Sequence, residues 1–119
     1  ARVLAQLRAN RDLFGPNTLF LDEPTASLDI MHQIEVMKAA KSEASQGSGV
    51  LVVLHDLNLA AAFADTMLLM QNGRVVCSGP IGEVLQSKTL SQVYNTPIFV
   101  EKAGKAPLHI RPDFESILV

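Results

Sequence analysis

Two short apolar runs, each ending abruptly at polar residues, constrain the fold of this chain more than any other feature. The first is Thr18–Asp22 and the second is residues 50–54. Continuous apolar runs of this length, bounded by turn residues, indicate buried strands of a parallel sheet. Residues 30–45 lie between them and carry apolar side chains at helical spacing. The pattern therefore predicts a strand–helix–strand unit with a right-handed crossover.

The polar residues at the ends of these two strands are the candidate functional residues. Asp22 and Glu23 close the first strand, and His55 follows the second. Parallel strands place their carboxyl ends at one edge of a sheet, where ligands of such sheets bind, so we expect the three side chains to share one rim. Successive strand side chains point to opposite faces, so both carboxylates reach one ligand only if the chain bends. Pro24 gives a reason for that bend.

Local signals predict the remaining elements. Asp29 and Asp56 are good N-caps for the helices that follow them, and Asn72-Gly73 is a strong hairpin signal. Two short apolar runs, residues 98–100 and 108–110, lie near the end of the chain without a predicted structure. Helices are expected over residues 1–9, 30–45, 57–64, 80–85 and 89–94, with a β-hairpin over residues 66–78.

Composition limits the classes of function. The chain has 119 residues, which is one domain or a piece of one. Its charged fraction of 18% is below the roughly one quarter of an average protein, which suits buried parallel strands. A net charge of −2 gives no electrostatic footprint for nucleic acid or for an anionic membrane. Cys77 is the single cysteine, so no internal disulfide can form.

These segments resemble the second half of an ATP-binding cassette (ABC) ATPase domain. Residues 19–25 match the Walker B segment of that family, residues 26–29 match its D-loop, and His55 matches its switch histidine. Within the family, residues 29–33 and 55–61 and the Leu-Met-Gln-Asn-Gly-Arg hairpin resemble the ATPases of haem (hemin) importers.

The resemblance implies an α/β fold, specifically an incomplete P-loop NTPase-type three-layer fold with a mainly parallel sheet, a β-hairpin and short C-terminal helices. It covers residues 1–100 as the C-terminal part of an ABC ATPase domain, with residues 101–119 as a C-terminal tail. It also implies that the strand leading to the phosphate loop would lie between residues 50–54 and 67–70, so the sheet is expected to have a gap there.

The motif that cradles phosphates does not occur among these residues. No G-x-x-x-x-G-K-[ST] run is present, and neither is the family's Leu-Ser-Gly-Gly signature nor its Q-loop glutamine. We therefore expect the 119 residues alone to bind ATP poorly, to hydrolyse none measurably and to aggregate.

The resemblance also implies roles for the residues at the rim. Asp22 would hold Mg²⁺ through water, because Mg²⁺ keeps several waters and binds few carboxylates directly. Glu23 would polarise the water that attacks the γ-phosphate of ATP, and His55 would contact that phosphate.

The D-loop residues Ser27, Leu28 and Asp29 would lie at an interface between two ATPase domains. A helix N-cap explains Asp29 without any partner, and both roles are compatible. Ser27 departs from the more usual Ser-Ala-Leu-Asp order, because here the alanine precedes the serine.

The function implied is the ATP-binding and ATP-hydrolysing subunit of an importer that takes up hemin across the inner membrane. Its cofactors would be ATP and Mg²⁺, and its partners a second ATPase subunit, membrane-embedded permease subunits and, indirectly, a periplasmic substrate-binding protein, with no nucleic acid. It would lie peripherally on the cytoplasmic face of that membrane. The alternatives are an iron-siderophore or cobalamin importer ATPase, a non-transport ABC ATPase, and a truncated piece that serves only in an interaction.

Overall fold

The structure, a computed structural model, describes residues 18–119 in full and the backbone of residues 2–8. None of the described helices is long and apolar enough to cross a membrane. In chain order the elements are β1 Arg2–Arg8, β2 Thr18–Asp22, α1 Ile30–Ser45, β3 Gly49–Leu54, α2 Leu57–Phe63, β4 Thr66–Gln71, β5 Arg74–Pro80, α3 Ile81–Val84, α4 Ser87–Tyr94, β6 Ile98–Glu101, β7 His109–Pro112 and α5 Phe114–Ile117.

The predicted strand–helix–strand unit is confirmed. Strands β2 and β3 pair in parallel, from Thr18 opposite Gly49 to Asp22 opposite Val53. Helix α1 connects them and starts where the sequence predicts, with the Asp29 side chain accepting a hydrogen bond from the backbone N–H of His32. The buried residues of α1 are Met37, Ala40 and Ala44, and they face the same core as most of β3. This unit therefore fixes the carboxyl ends of β2 and β3 at one rim of the sheet.

The prediction of a helix over residues 1–9 is wrong for residues 2–8, and residues 1 and 9 lie outside the described part of the chain. Residues 2–8 form strand β1, which lies between β3 and β4 and pairs antiparallel with both. The apolar residues of this short segment suit strand alternation as well as helical spacing. Pairing on both sides satisfies backbone groups that β3 and β4 would otherwise leave exposed, and this outweighs a local helix preference.

The prediction of a mainly parallel sheet is also wrong. The strand order is β2-β3-β1-β4-β5, and only the β2–β3 pairing is parallel among the described strands. The expected gap between β3 and β4 is occupied by β1, whose direction makes both of its pairings antiparallel. The α/β class is confirmed as a mixed α and β structure, and the three-layer P-loop arrangement stays a prediction.

The predicted β4–β5 hairpin is confirmed. Asn72 and Gly73 form its turn with φ angles of 53° and 74°. Positive φ at both central residues is the requirement of a type I′ turn, which favours Asn-Gly.

The two apolar runs near the end of the chain form a second, two-stranded sheet of β6 and β7. Ile98 lies opposite Pro112 and Val100 lies opposite Ile110 in this antiparallel hairpin. Ile110 is buried in the same core as Leu90 of α4. The division of the chain after residue 100 stays a prediction, and the hairpin spans that position.

Candidate active site

The chain bends sharply at Glu23, which is the bend that both carboxylates need to reach one ligand at the rim of the sheet. Glu23 has a φ of 51°, in the left-handed region, and residues 24–27 form a turn. The N–H of Glu23 donates to the carbonyl oxygen of Val53 at 2.9 Å, and its own carbonyl accepts from the N–H of Ala26 at 3.2 Å. A non-glycine residue in this region costs on the order of 1–3 kcal/mol and persists only where the surroundings hold it. These two backbone bonds hold it here.

The bend brings the Glu23 carboxylate to His55. The Nε2 atom of His55 lies 2.7 Å from Oε1 of Glu23. The parallel register explains this, because Asp22 lies opposite Val53 and His55 follows two residues later. An ionised carboxylate only accepts hydrogen bonds, so with Glu23 ionised the Nε2–H of His55 is the donor in this contact. The side chains are 30% exposed for Glu23 and 61% exposed for His55, so the pair is open to a ligand.

Asp22 lies at the end of β2 with its side chain exposed, one residue before the bend. Within the described part of the chain, no three His, Cys, Asp or Glu side chains gather into a metal-binding group. A complete protein cage is not what Mg²⁺ needs, because it is commonly held by one or two carboxylates, substrate phosphates and waters. A single exposed carboxylate at the rim is a hard oxygen donor that fits this requirement.

The D-loop residues are exposed and partly tied to α1. Ser27 has a φ of 64°, and the Leu28 carbonyl accepts a hydrogen bond from Nε2 of Gln33 at 3.2 Å. Oδ1 of Asp29 lies 2.9 Å from the N–H of His32 and 2.6 Å from its Nδ1 atom. The N-cap of Asp29 is therefore present, and a role of these residues at an interface stays a prediction.

Large apolar side chains are exposed beside the D-loop. Leu28 is 37% exposed, and in the first turns of α1 the exposed fractions are 76% for Ile30, 59% for Met31 and 38% for Ile34. Exposed apolar residues grouped in this way are typical of a surface that a partner covers.

Sequence reasoning assigned no role to two residues near the rim. Thr25 ends the segment that resembles Walker B, but no role was inferred for it from the sequence, and the structure buries it in the turn with 7% of its surface exposed. Asn58, in the first turn of α2, binds β7 through its side chain. The sequence places Asn58 within the 55–61 resemblance but gives no sign of its bonds to β7, apart from asparagine being a poor helix former.

Several bacterial proteins named hemin import ATP-binding protein HmuV are similar to this chain. The protein of Agrobacterium fabrum is 51% identical over 94 residues, which cover 79% of this chain and 36% of the relative. That of Pseudoalteromonas translucida is 50% identical over 112 residues, covering 93% of this chain and 43% of the relative. That of Bradyrhizobium diazoefficiens is 41% identical over 107 residues, covering 90% and 40%. The chain thus spans about two-fifths of the length of these curated relatives.

The fold is similar to a solved ABC transporter of metal-chelate type in an inward-facing conformation. The match has a TM-score of 0.70 and 26% sequence identity, and it covers 82% of this chain and 41% of the other. No protein-family model matches the chain.

Proposed function

We propose that this chain, which belongs to the ATP-binding cassette ATPases, is the C-terminal part of the ATPase subunit of a hemin importer. The observation that carries the proposal is the contact between Glu23 and His55 at the ends of two parallel strands. The similarity to hemin import ATP-binding proteins supports the family and the cargo.

The residues of the rim suit phosphoryl transfer to water. Glu23 accepts a hydrogen bond from the attacking water and orients it toward the γ-phosphate, while the Nε2–H of His55 donates to an oxygen of that phosphate. Both groups contact each other in this structure, so a bound triphosphate would take over the hydrogen bond that His55 now makes to Glu23. The rim then both places the water and recognises the phosphate that is to be transferred.

Asp22 is the residue of this chain that would hold Mg²⁺. When bound, that ion neutralises the negative charge that develops on the phosphate oxygens. The phosphate loop does not occur among the 119 residues, so we assign hydrolysis to the complete subunit and not to this segment alone.

We further propose that two such subunits meet through the D-loop surface of Ser27, Leu28 and Asp29. The exposed apolar side chains of Ile30 and Met31 beside it support a protein partner at this surface. In the importer, the ATPase pair would act on permease subunits from the cytoplasmic face of the inner membrane, and a periplasmic binding protein would deliver the cargo. No role in nucleic-acid binding is proposed.

A different metal chelate is the alternative cargo. The similar solved transporter is described as metal-chelate type, which is a broader class than hemin. An iron-siderophore or cobalamin importer would use the same rim, because the ATPase does not have to touch the cargo.

The proposal is tested by transport in vesicles that contain the complete importer. We expect ATP-driven hemin uptake by the unmodified protein and none by the Glu23→Gln variant, since the amide cannot polarise the water. Glu35→Gln, a change at an exposed glutamate of α1, is the matched control and should transport normally. Parallel assays with a ferric siderophore and cobalamin identify the cargo. Uptake by Glu23→Gln at the control rate would contradict the proposal.

A further inference from the structure

The side-chain amide of Asn58 binds the backbone N–H and the backbone carbonyl of a single residue, Ile110, in the C-terminal β6–β7 hairpin. Its Nδ2 donates to the carbonyl oxygen of Ile110 at 3.0 Å, and its Oδ1 accepts from the N–H of Ile110 at 2.7 Å. This is the pair of bonds that a neighbouring strand would provide. The amide of Asn58 therefore substitutes for a strand at the outer edge of β7.

Serine side chains hold the opposite edge of the same hairpin. The Oγ of Ser87 accepts from the N–H of Val100 at 2.9 Å, and the Oγ of Ser91 accepts from the N–H of Ile98 at 2.9 Å. Both serines belong to α4, whereas Asn58 belongs to α2. The β6–β7 hairpin is thus attached to two different helices by side chains that satisfy its edge groups.

The attachment at Asn58 is next to the candidate active site. Asp56 caps α2 through Oδ1, which accepts from the N–H of Asn58 at 2.9 Å and from that of Leu59 at 3.1 Å. Asp56 directly follows His55. Asn58 therefore contacts the cap of α2 through its backbone and the hairpin through its side chain.

The imidazole of His55 itself is loosely enclosed. It is 61% exposed, so packing around the ring cannot fix its position, and the described contact that holds it is the one to Glu23. The position of its backbone then depends on β3 on one side and on the first turn of α2 on the other.

We propose that Asn58 is a positioning residue, which ties the β6–β7 hairpin to α2 and thereby places His55 against the γ-phosphate. This inference depends on the ATPase function proposed above. It makes ATP hydrolysis sensitive to the C-terminal hairpin, although no residue of that hairpin lies at the rim among the described contacts.

The test is steady-state ATP hydrolysis by the complete ATPase carrying Asn58→Ala. The change removes both bonds to Ile110 but keeps the backbone N–H that Asp56 caps. Displacement of a positioned group lowers turnover, so we expect kcat per ATP-binding site to fall about ten- to hundredfold, with KM for ATP within about twofold. The number of sites is titrated with a fluorescent ATP analogue, so that loss of folded protein does not count as loss of turnover.

Ser87→Ala is the matched control. It loosens the same hairpin at its α4 edge and leaves the α2 attachment intact, so kcat per binding site should stay within about twofold of the unmodified value. If Asn58→Ala is insoluble, Asn58→Asp serves instead, because it keeps the acceptor for the Ile110 N–H and replaces the donor to the Ile110 carbonyl oxygen by a second carboxylate oxygen, which breaks that bond.

The inference is overturned if kcat per binding site is unchanged in the Asn58 variant, or if Ser87→Ala lowers it equally. Glu23→Gln, measured in the same assay, separates this inference from the proposed function. Persisting hydrolysis in Glu23→Gln contradicts the ATPase mechanism, whereas its loss together with normal turnover in Asn58→Ala contradicts only the role of Asn58.

Discussion

The Nε2 atom of His55 lies 2.7 Å from Oε1 of Glu23, although the two residues are 32 positions apart in the sequence. Two parallel strands and the left-handed backbone of Glu23 bring about this contact. The carboxylate of Glu23 contacts the imidazole of His55 at the rim of the sheet, where strand β2 ends at Asp22. A hydrogen-bond donor and an acceptor thereby lie together at this rim, where we propose that a triphosphate and its attacking water bind.

Replacing His55 should impair turnover more than binding. In the complete ATPase, we expect His55→Ala to lower kcat about 100-fold or more, because a donor to the charge on the transferred phosphate is lost. The KM for ATP should change little, since most of the nucleotide would be bound by parts of the complete protein other than this histidine. Steady-state hydrolysis measures both values. His109→Ala, at an exposed histidine of β7, is the control and should behave normally; an equal loss there would contradict the assignment.

Variants at Asp29 separate its cap from its proposed place at an interface. Asp29→Ala should lower the free energy of unfolding by about 1 kcal/mol, because α1 loses its N-cap. Asparagine caps helices about as well as aspartate, so Asp29→Asn should keep that stability. If the carboxylate also acts across an ATPase dimer, Asp29→Asn lowers hydrolysis without lowering stability. Urea denaturation and ATPase assays on both variants measure this, and full activity in Asp29→Asn leaves the cap as its sole role.

The hairpin carries an ion pair whose contribution depends on pH. A hydrogen bond from Arg111, at 2.7 Å, lowers the pKa of the Glu101 carboxyl below its ordinary value of 4.5. The folded state thus favours the ionised acid, so this contribution is present above pH 4.5 and is lost as the pH falls through the lowered pKa. We expect the Tm difference between the unmodified ATPase and Glu101→Gln to be positive at neutral pH and to vanish in acid. A difference that grows in acid would contradict this.

Tyr94 has a buried hydroxyl without a hydrogen-bond partner among the described residues. Burial raises the pKa of this phenol above its ordinary value of 10.0, which shows the same lack of solvation. Removing an unsatisfied buried group avoids its desolvation cost, so Tyr94→Phe should leave the free energy of unfolding unchanged or raise it by about 1 kcal/mol. Urea denaturation of the complete protein measures the change. A loss of about 1 kcal/mol or more would show that the hydroxyl has a partner in the complete protein.

Features determined by local sequence could be predicted. The cap at Asp29 fixes the start of α1, and Asn72-Gly73 fixes the type I′ turn of the β4–β5 hairpin. The shared rim followed from two apolar runs joined by one helix, because strands connected in this way pair in parallel and place their carboxyl ends at the same edge of the sheet. The bend at Glu23 was expected because of Pro24, but its left-handed φ was not.

Features determined by distant pairing could not be predicted. Residues 2–8 are compatible with a helix or a strand, and the free edges of β3 and β4 decide between them. Because residues 2–8 form an antiparallel strand, the sheet is mixed and not mainly parallel. The bonds of Asn58 join residues 52 positions apart, and no spacing pattern in the sequence indicates them.

The most direct test of the central claim is a crystal structure of the complete ATPase with Mg²⁺ and a non-hydrolysable ATP analogue. We expect the imidazole of His55 and the carboxylate of Glu23 on the same side of the sheet, both within hydrogen-bonding distance of the γ-phosphate or of the water that faces it, with Asp22 beside the ion. An imidazole of His55 on the opposite rim from the two acids, or antiparallel pairing of β2 and β3, would contradict the account.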